Sequence, residues 1–122
     1  MAILDNDLFR DFFLGFVRLH ILFHAGQEPV CGVDLMAEMG RHGYRVSAGT
    51  LYPLLHRLTA AGLVTCESRV VAGRQRKYYR LTPAGAAVLV EARARLRELV
   101  GEVVDGQGPA IGGLAERKGD GG

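Results

Sequence analysis

Eight cationic side chains crowd the middle of this sequence: Arg41, Arg45, Arg57, Arg69, Arg74, Arg76, Lys77 and Arg80. Between Glu38 and Glu91 a single acidic residue, Glu67, accompanies them, and the other twelve acids lie outside that window. A formal net charge of only +2 therefore conceals a basic centre between acidic flanks. Cations gathered on one substructure, rather than spread over a surface, suit a partner that presents rows of phosphates. A second group with chemistry is His20 and His24, at i, i+4 on one helical face, a spacing that can ligate a metal, with Cys31 a short loop later as a thiolate source. No CxxC pair or clustered His/Cys motif accompanies them, so core or interface histidines are the preferred reading and neither metal nor cofactor is assigned. No Ser/His/Asp arrangement, Gly-rich phosphate loop or paired-carboxylate site stands out, which argues against an enzyme.

The bulk numbers set the frame. A chain of 122 residues suits one domain with a real core, and 48% hydrophobic with 23% charged residues is ordinary for a globular protein. Charges interrupt every apolar run, so no stretch could span a bilayer, and the opening MAILDND carries no secretory pattern. Cys31 and Cys66 form neither a disulfide framework nor a zinc motif. A reduced, cytoplasmic protein is the expectation.

The elements that must position the basic residues follow from periodicity. Asp5 or Asn6 can cap a first helix from about Leu8 to Ala25, with Gly26 ending it. Phe9, Phe12, Phe13, Phe16 and Phe23 all fall in it, and with its aliphatic residues they cover more than one stripe, which predicts packing on two sides. A second helix is expected from Val30 or Cys31 to about His42, with Val33, Leu35, Met36 and Met39 inward and Gly43 closing it. Ser47 then caps a third helix, whose Leu51, Leu54, Leu55 and Leu58 keep i, i+3, i+4, i+7 spacing. Pro53 deletes one helical hydrogen bond, so either the first turn is irregular or the helix proper starts near Tyr52. Strands are expected at Leu63–Val71 and Lys77–Leu81, joined by residues 72–76 around Gly73. Thr82 caps a last helix with Pro83 at its first position, and Gly85 is expected to let that helix approach the hairpin closely. Tyr78 and Tyr79 point to opposite faces of their strand, so only one can be buried.

Helix, helix, capped helix, two-stranded hairpin, helix is the order of a winged helix-turn-helix, a mainly α (α+β) architecture. In that arrangement the capped third helix reads the major groove, and the wing lies against phosphates or the minor groove. The predicted double-stranded DNA contacts are Ser47, Thr50, Tyr52, Pro53, His56 and Arg57 on the helix, and Arg74, Gln75, Arg76 and Lys77 on the wing.

The stretches SAGTLYPLLHRLTAAGLVTCES and GRQRKYYRLTPAG resemble the PadR family of bacterial transcriptional regulators, with likeness running from about Leu8 to Val104. The resemblance implies a homodimer whose last helix packs with the first, and repression of a nearby promoter at an inverted repeat. One helix beyond the wing is similar to the short subgroup of that family. Some short members hold planar drugs with a tryptophan; this chain has no Trp, so that ligand mode does not carry over.

The expected division is a winged-helix domain at 1–82, a C-terminal dimerisation helix at 83–105 and a Gly-rich tail at 106–122. Leu89, Ala92, Leu96, Leu99 and Val103 alternate spacings of three and four, the seam of a helix pair. With Phe9, Phe12, Phe13 and Phe16 they are the expected dimer interface. A small apolar effector between subunits is a further expectation, although apolar dimer packing produces the same residues. Two rival readings are kept: a winged helix used as a protein-interaction module, and a metal-responsive regulator.

Overall fold

The computed structural model describes residues 7–112. Helix α1 (Asp7–Gln27) is followed by a two-residue strand β1 (Val30–Cys31) and helix α2 (Gly32–Arg41). Helix α3 (Ala48–Ala60), strands β2 (Val64–Val71) and β3 (Arg74–Leu81), and helix α4 (Pro83–Leu99) complete the order, with a π-helical segment at Val100–Val104. The expected cap at Asp5 or Asn6 lies outside the described residues. The chain divides into two compact units, one ending at Glu91 and the other starting at Ala92.

Several boundaries differ from the sequence reading. Gly26 does not end α1, which runs one residue further to Gln27. Val30 and Cys31 are not helical: they pair antiparallel with Tyr79 and Tyr78 of β3, making the sheet three-stranded, in the order β1-β3-β2, rather than a bare hairpin. A two-residue strand is invisible to periodicity because its stability comes from pairing with a partner distant in the chain. Val33 is exposed rather than inward, whereas Leu35 and Met39 are buried. Helix α3 runs unbroken from Ala48 through Pro53, so the proline costs one bond without moving the start. Ser47 occupies the N-cap position with extended backbone, yet its hydroxyl lies 3.3 Å from Thr50 Oγ1 and caps no backbone amide.

The hairpin is tighter than residues 72–76 suggested. Ala72 (φ 53°) and Gly73 (φ 78°) form the whole turn, and Val71 pairs directly with Arg74. Two successive left-handed residues match the twist of a two-residue hairpin, so Arg74, Gln75 and Arg76 belong to the strand. At the other end of β3, Thr82 Oγ1 accepts the Gly85 amide at 3.0 Å and caps α4 as expected. The same hydroxyl donates to the Gly62 carbonyl at 2.6 Å, tying α4 to the end of α3. A Cβ at Gly85 would stand 2.1 Å from the Leu63 carbonyl oxygen, so only glycine allows this approach.

One core organises the first unit. Val17, Ile21, Leu22 and Ala25 of α1 meet Leu35 and Met39 of α2, all four leucines of α3, Val64, Tyr79 and Leu89. Leu63 and Leu81 pack at its edge. Fully burying each large aliphatic side chain contributes about 1.5–3 kcal/mol. The leucine quartet of α3 thus anchors one face of that helix and leaves the other to solvent. On α1 the second apolar face stays open: Phe9, Phe12 and Phe23 are exposed, while Phe13 and Phe16 are half-buried against Tyr44.

Candidate nucleic-acid interface

The open face of α3 carries Ser47, Pro53, His56 and Arg57 in solvent, with Thr50 and Tyr52 half-buried. This division is dictated by the helix: Leu51, Leu54, Leu55 and Leu58 claim the core side, so the residues between them must face out. Arg57 stands at the far end of this face and Ser47 at its start. Thr50 contributes to a different groove with Arg10, Phe13, Tyr44 and Arg45.

Strand β3 lies on the other side of a cleft of about 440 Å³ lined by Tyr52, His56, Arg74, Gln75, Arg76 and Lys77. Six of the ten predicted contact residues therefore converge on one concavity. Ser47, Thr50, Pro53 and Arg57 lie along the helix outside it. The cleft floor was not legible in the sequence. Cys31, Gly32 and Val33 reach it because β1 pairs with β3 and carries the start of α2 beside the wing. Tyr52 closes over that start: its hydroxyl lies 2.3 Å from where a Cβ on Gly32 would sit, so its ring is part of the cleft wall. Arg45, exposed just before α3, is a further cation beside the helix that the site prediction omitted.

Alternation along β3 separates Arg74, Arg76, Tyr78 and Arg80 on one face from Gln75, Lys77, Tyr79 and Leu81 on the other. Tyr79 is the buried tyrosine, with 1% exposure, and Tyr78 is half-buried beneath the Arg69 guanidinium, 4.9 Å from its ring centroid. Burial, with the neighbouring Cys66, pushes the Tyr79 hydroxyl up to about 12. Arg69 also pairs with Glu67 at 2.7 Å, and the Arg76 guanidinium contacts Cys31 Sγ at 3.9 Å. Among the described residues, Arg45, Arg57, Arg74, Lys77 and Arg80 take part in no ion pair. No described carboxylate pairs with their charge, which suits a polyanionic partner.

Comparison with known proteins fits this geometry. Residues 21–91 match the profile of the Transcriptional regulator PadR-like family. The Mycobacterium tuberculosis transcriptional regulator Rv3488 is 56% identical over 103 residues, 84% of this chain and 96% of that protein. A PadR-like transcription factor structure from Bacteroides fragilis aligns with a TM-score of 0.71 at 30% identity, covering 84% of this chain and all of that one. The PadR-like transcriptional regulator of Bacillus cereus aligns at 0.69 and 32% identity, over 78% of this chain and 95% of its own. With an open helix face and a basic strand on one cleft, a winged-helix core and these likenesses, the chain belongs to the PadR-like family of transcriptional regulators.

Proposed function

We propose that this protein is a sequence-specific DNA-binding regulator that acts as a homodimeric repressor. The observation that carries this reading is the cleft between α3 and β3, where Tyr52, His56, Arg74, Gln75, Arg76 and Lys77 come together. In this reading α3 enters the major groove, with Thr50, Tyr52, His56 and Arg57 toward base edges, Ser47 and Pro53 at the backbone, and β3 along the phosphates. A helix of this size contacts too few bases to choose one genomic site, and two copies on a two-fold axis double the readout. The dimer would join the exposed stripe of α4 (Leu96, Leu99) and Val103 to the phenylalanine face of α1 in the partner subunit, with Phe9 and Phe12 central. Leu89 is already 9% exposed within its own core and contributes little there. An apolar effector would enter between those same surfaces.

The test is a salt titration of duplex binding. Phosphate contacts displace condensed cations, so log K falls steeply with log salt. Replacing Arg76 and Lys77 together by Ala is expected to weaken binding to operator and random duplex about equally and to flatten that slope by up to ~2 units. Unchanged affinity for both duplexes would remove the wing from the interface, and a flat salt dependence in the unmodified protein would favour the protein-interaction reading instead.

A further inference from the structure

Helix α3 has cations on both flanks of its exposed face. At about 100° per residue, Tyr52 and His56 lie roughly 200° and 240° around the helix axis from Thr50, and the core leucines at about 40–140°. Tyr52 and His56 therefore border the exposed face on one side, toward the cleft that holds Arg74 and Lys77. Thr50 borders it on the other. There a second groove of about 410 Å³ opens between α3, the link before it and the first half of α1, lined by Arg10, Phe13, Leu14, Tyr44, Arg45 and Thr50.

Local structure places both arginines there. Gly43 (φ 86°) follows α2, and the Tyr44 amide returns to the Met39 carbonyl at 2.9 Å. The Tyr44 ring packs against Phe13 and edge-on to Phe16, with centroids 5.9 Å and 4.9 Å apart, while Val46 is buried in the core. With its neighbours on either side turned inward, Arg45 is left exposed. Arg10 stands one turn before Phe13 on the same face of α1 and is exposed as well. Among the described residues neither arginine takes part in an ion pair, and the groove lining holds no carboxylate. Asp7 and Asp11 neighbour Arg10 along α1 and form no ion pair with either arginine.

A helix seated in the major groove, about 12 Å wide, has a sugar–phosphate strand on each side of it. The wing supplies cations for one of those strands. We propose that Arg10 and Arg45 bind phosphates of the opposite strand, so that each subunit clamps both edges of the groove that α3 enters. Guanidinium groups suit that task because their planar fork donates two hydrogen bonds to one phosphate. The inference rests on the reading that α3 lies in the major groove. A small organic anion is the other occupant that two arginines over an aromatic floor would suit; the duplex is favoured because Thr50 makes the groove continuous with the exposed face of α3.

Binding of the full chain to a fluorescein-labelled, mixed-sequence duplex is followed by anisotropy across a salt series. Each phosphate contact adds about 0.9 to the slope of log K against log salt. Arg10→Gln and Arg45→Gln should each flatten the slope by about that amount per bound subunit, and the double variant by about twice as much. Arg10→Lys combined with Arg45→Lys retains the charge and should keep the parental slope. Arg93→Gln removes one positive charge from an exposed position beyond Glu91 and should leave the slope unchanged. A double Gln variant with the parental slope overturns the proposal and leaves the groove to a small organic anion. If the Arg76 and Lys77 substitutions flatten the slope in that same series, the DNA-binding reading itself stands. Equal flattening by Arg93→Gln or by the Lys pair also overturns the proposal, since net charge or packing would then account for the effect. A parent protein without salt-dependent duplex binding removes both readings.

Discussion

Helix α4 changes character halfway along. In the part before Glu91, Gly85 and Leu89 are buried and the helix is packed at a glycine-sized distance from Leu63. From Ala92 on, no described residue is buried, and Leu96, Leu99 and Val103 are 43%, 49% and 69% exposed. Yet Leu89, Leu96, Leu99 and Val103 belong to one regular seam. Identical spacing thus has two different meanings within one helix. In the first part the apolar stripe is covered by its own chain and contributes to folding; in the second it has no cover within its own unit and is suited to association.

Three experiments would break or sharpen that contrast. The largest effect is expected on stability. Leu55→Ala empties a fully buried position and should cost about 2–5 kcal/mol in denaturant unfolding, whereas Leu99→Ala at low protein concentration should cost under about 1 kcal/mol. Equal costs would mean that the second half of α4 is part of the same folding core. Next comes Leu96→Glu, which places an unpaired carboxylate on the proposed contact and so disfavours its burial there. Light scattering should then report a folded monomer with much weaker operator binding; a normal dimer would refute the seam's role.

The smallest effect concerns the core's alkaline limit. The Tyr79 hydroxyl rises from an ordinary 10.0 to about 12 in the folded state. A group whose folded value is raised contributes stability that is complete below its unfolded value and disappears as pH climbs through the folded one. Stability should therefore decline between pH 10.0 and about 12, and Tyr79→Phe should soften that decline. A Tyr79 hydroxyl that ionises near 10.0 in the folded protein would contradict its burial in the core.

The reach of sequence reasoning can be judged residue by residue. The leucine quartet of α3, the Thr82–Pro83 start of α4 and the basic strand were legible because each is a local pattern: a 3.6-residue period, a capping pair, a run of charge. The close approach at Gly85 was legible too. Strand β1 was not, since two residues hold no period and Val30 becomes a strand only opposite Tyr79. The tight hairpin was misread because Ala72, a non-glycine residue, takes a left-handed conformation there.

The sequence by itself determined which face of each long helix is apolar, where the positive charge concentrates and which family signature the chain carries. Those properties live in neighbours along the chain, within the reach of one helical turn or one strand pair. Tertiary structure alone decided that Tyr79 rather than Tyr78 is buried, that Cys31 to Val33 floor the basic cleft, and that His42 and Glu38 join His20 and His24. Each of these depends on contacts between residues about 15 to 50 positions apart, and spacing along the chain carries no record of which distant partner will fill a given side.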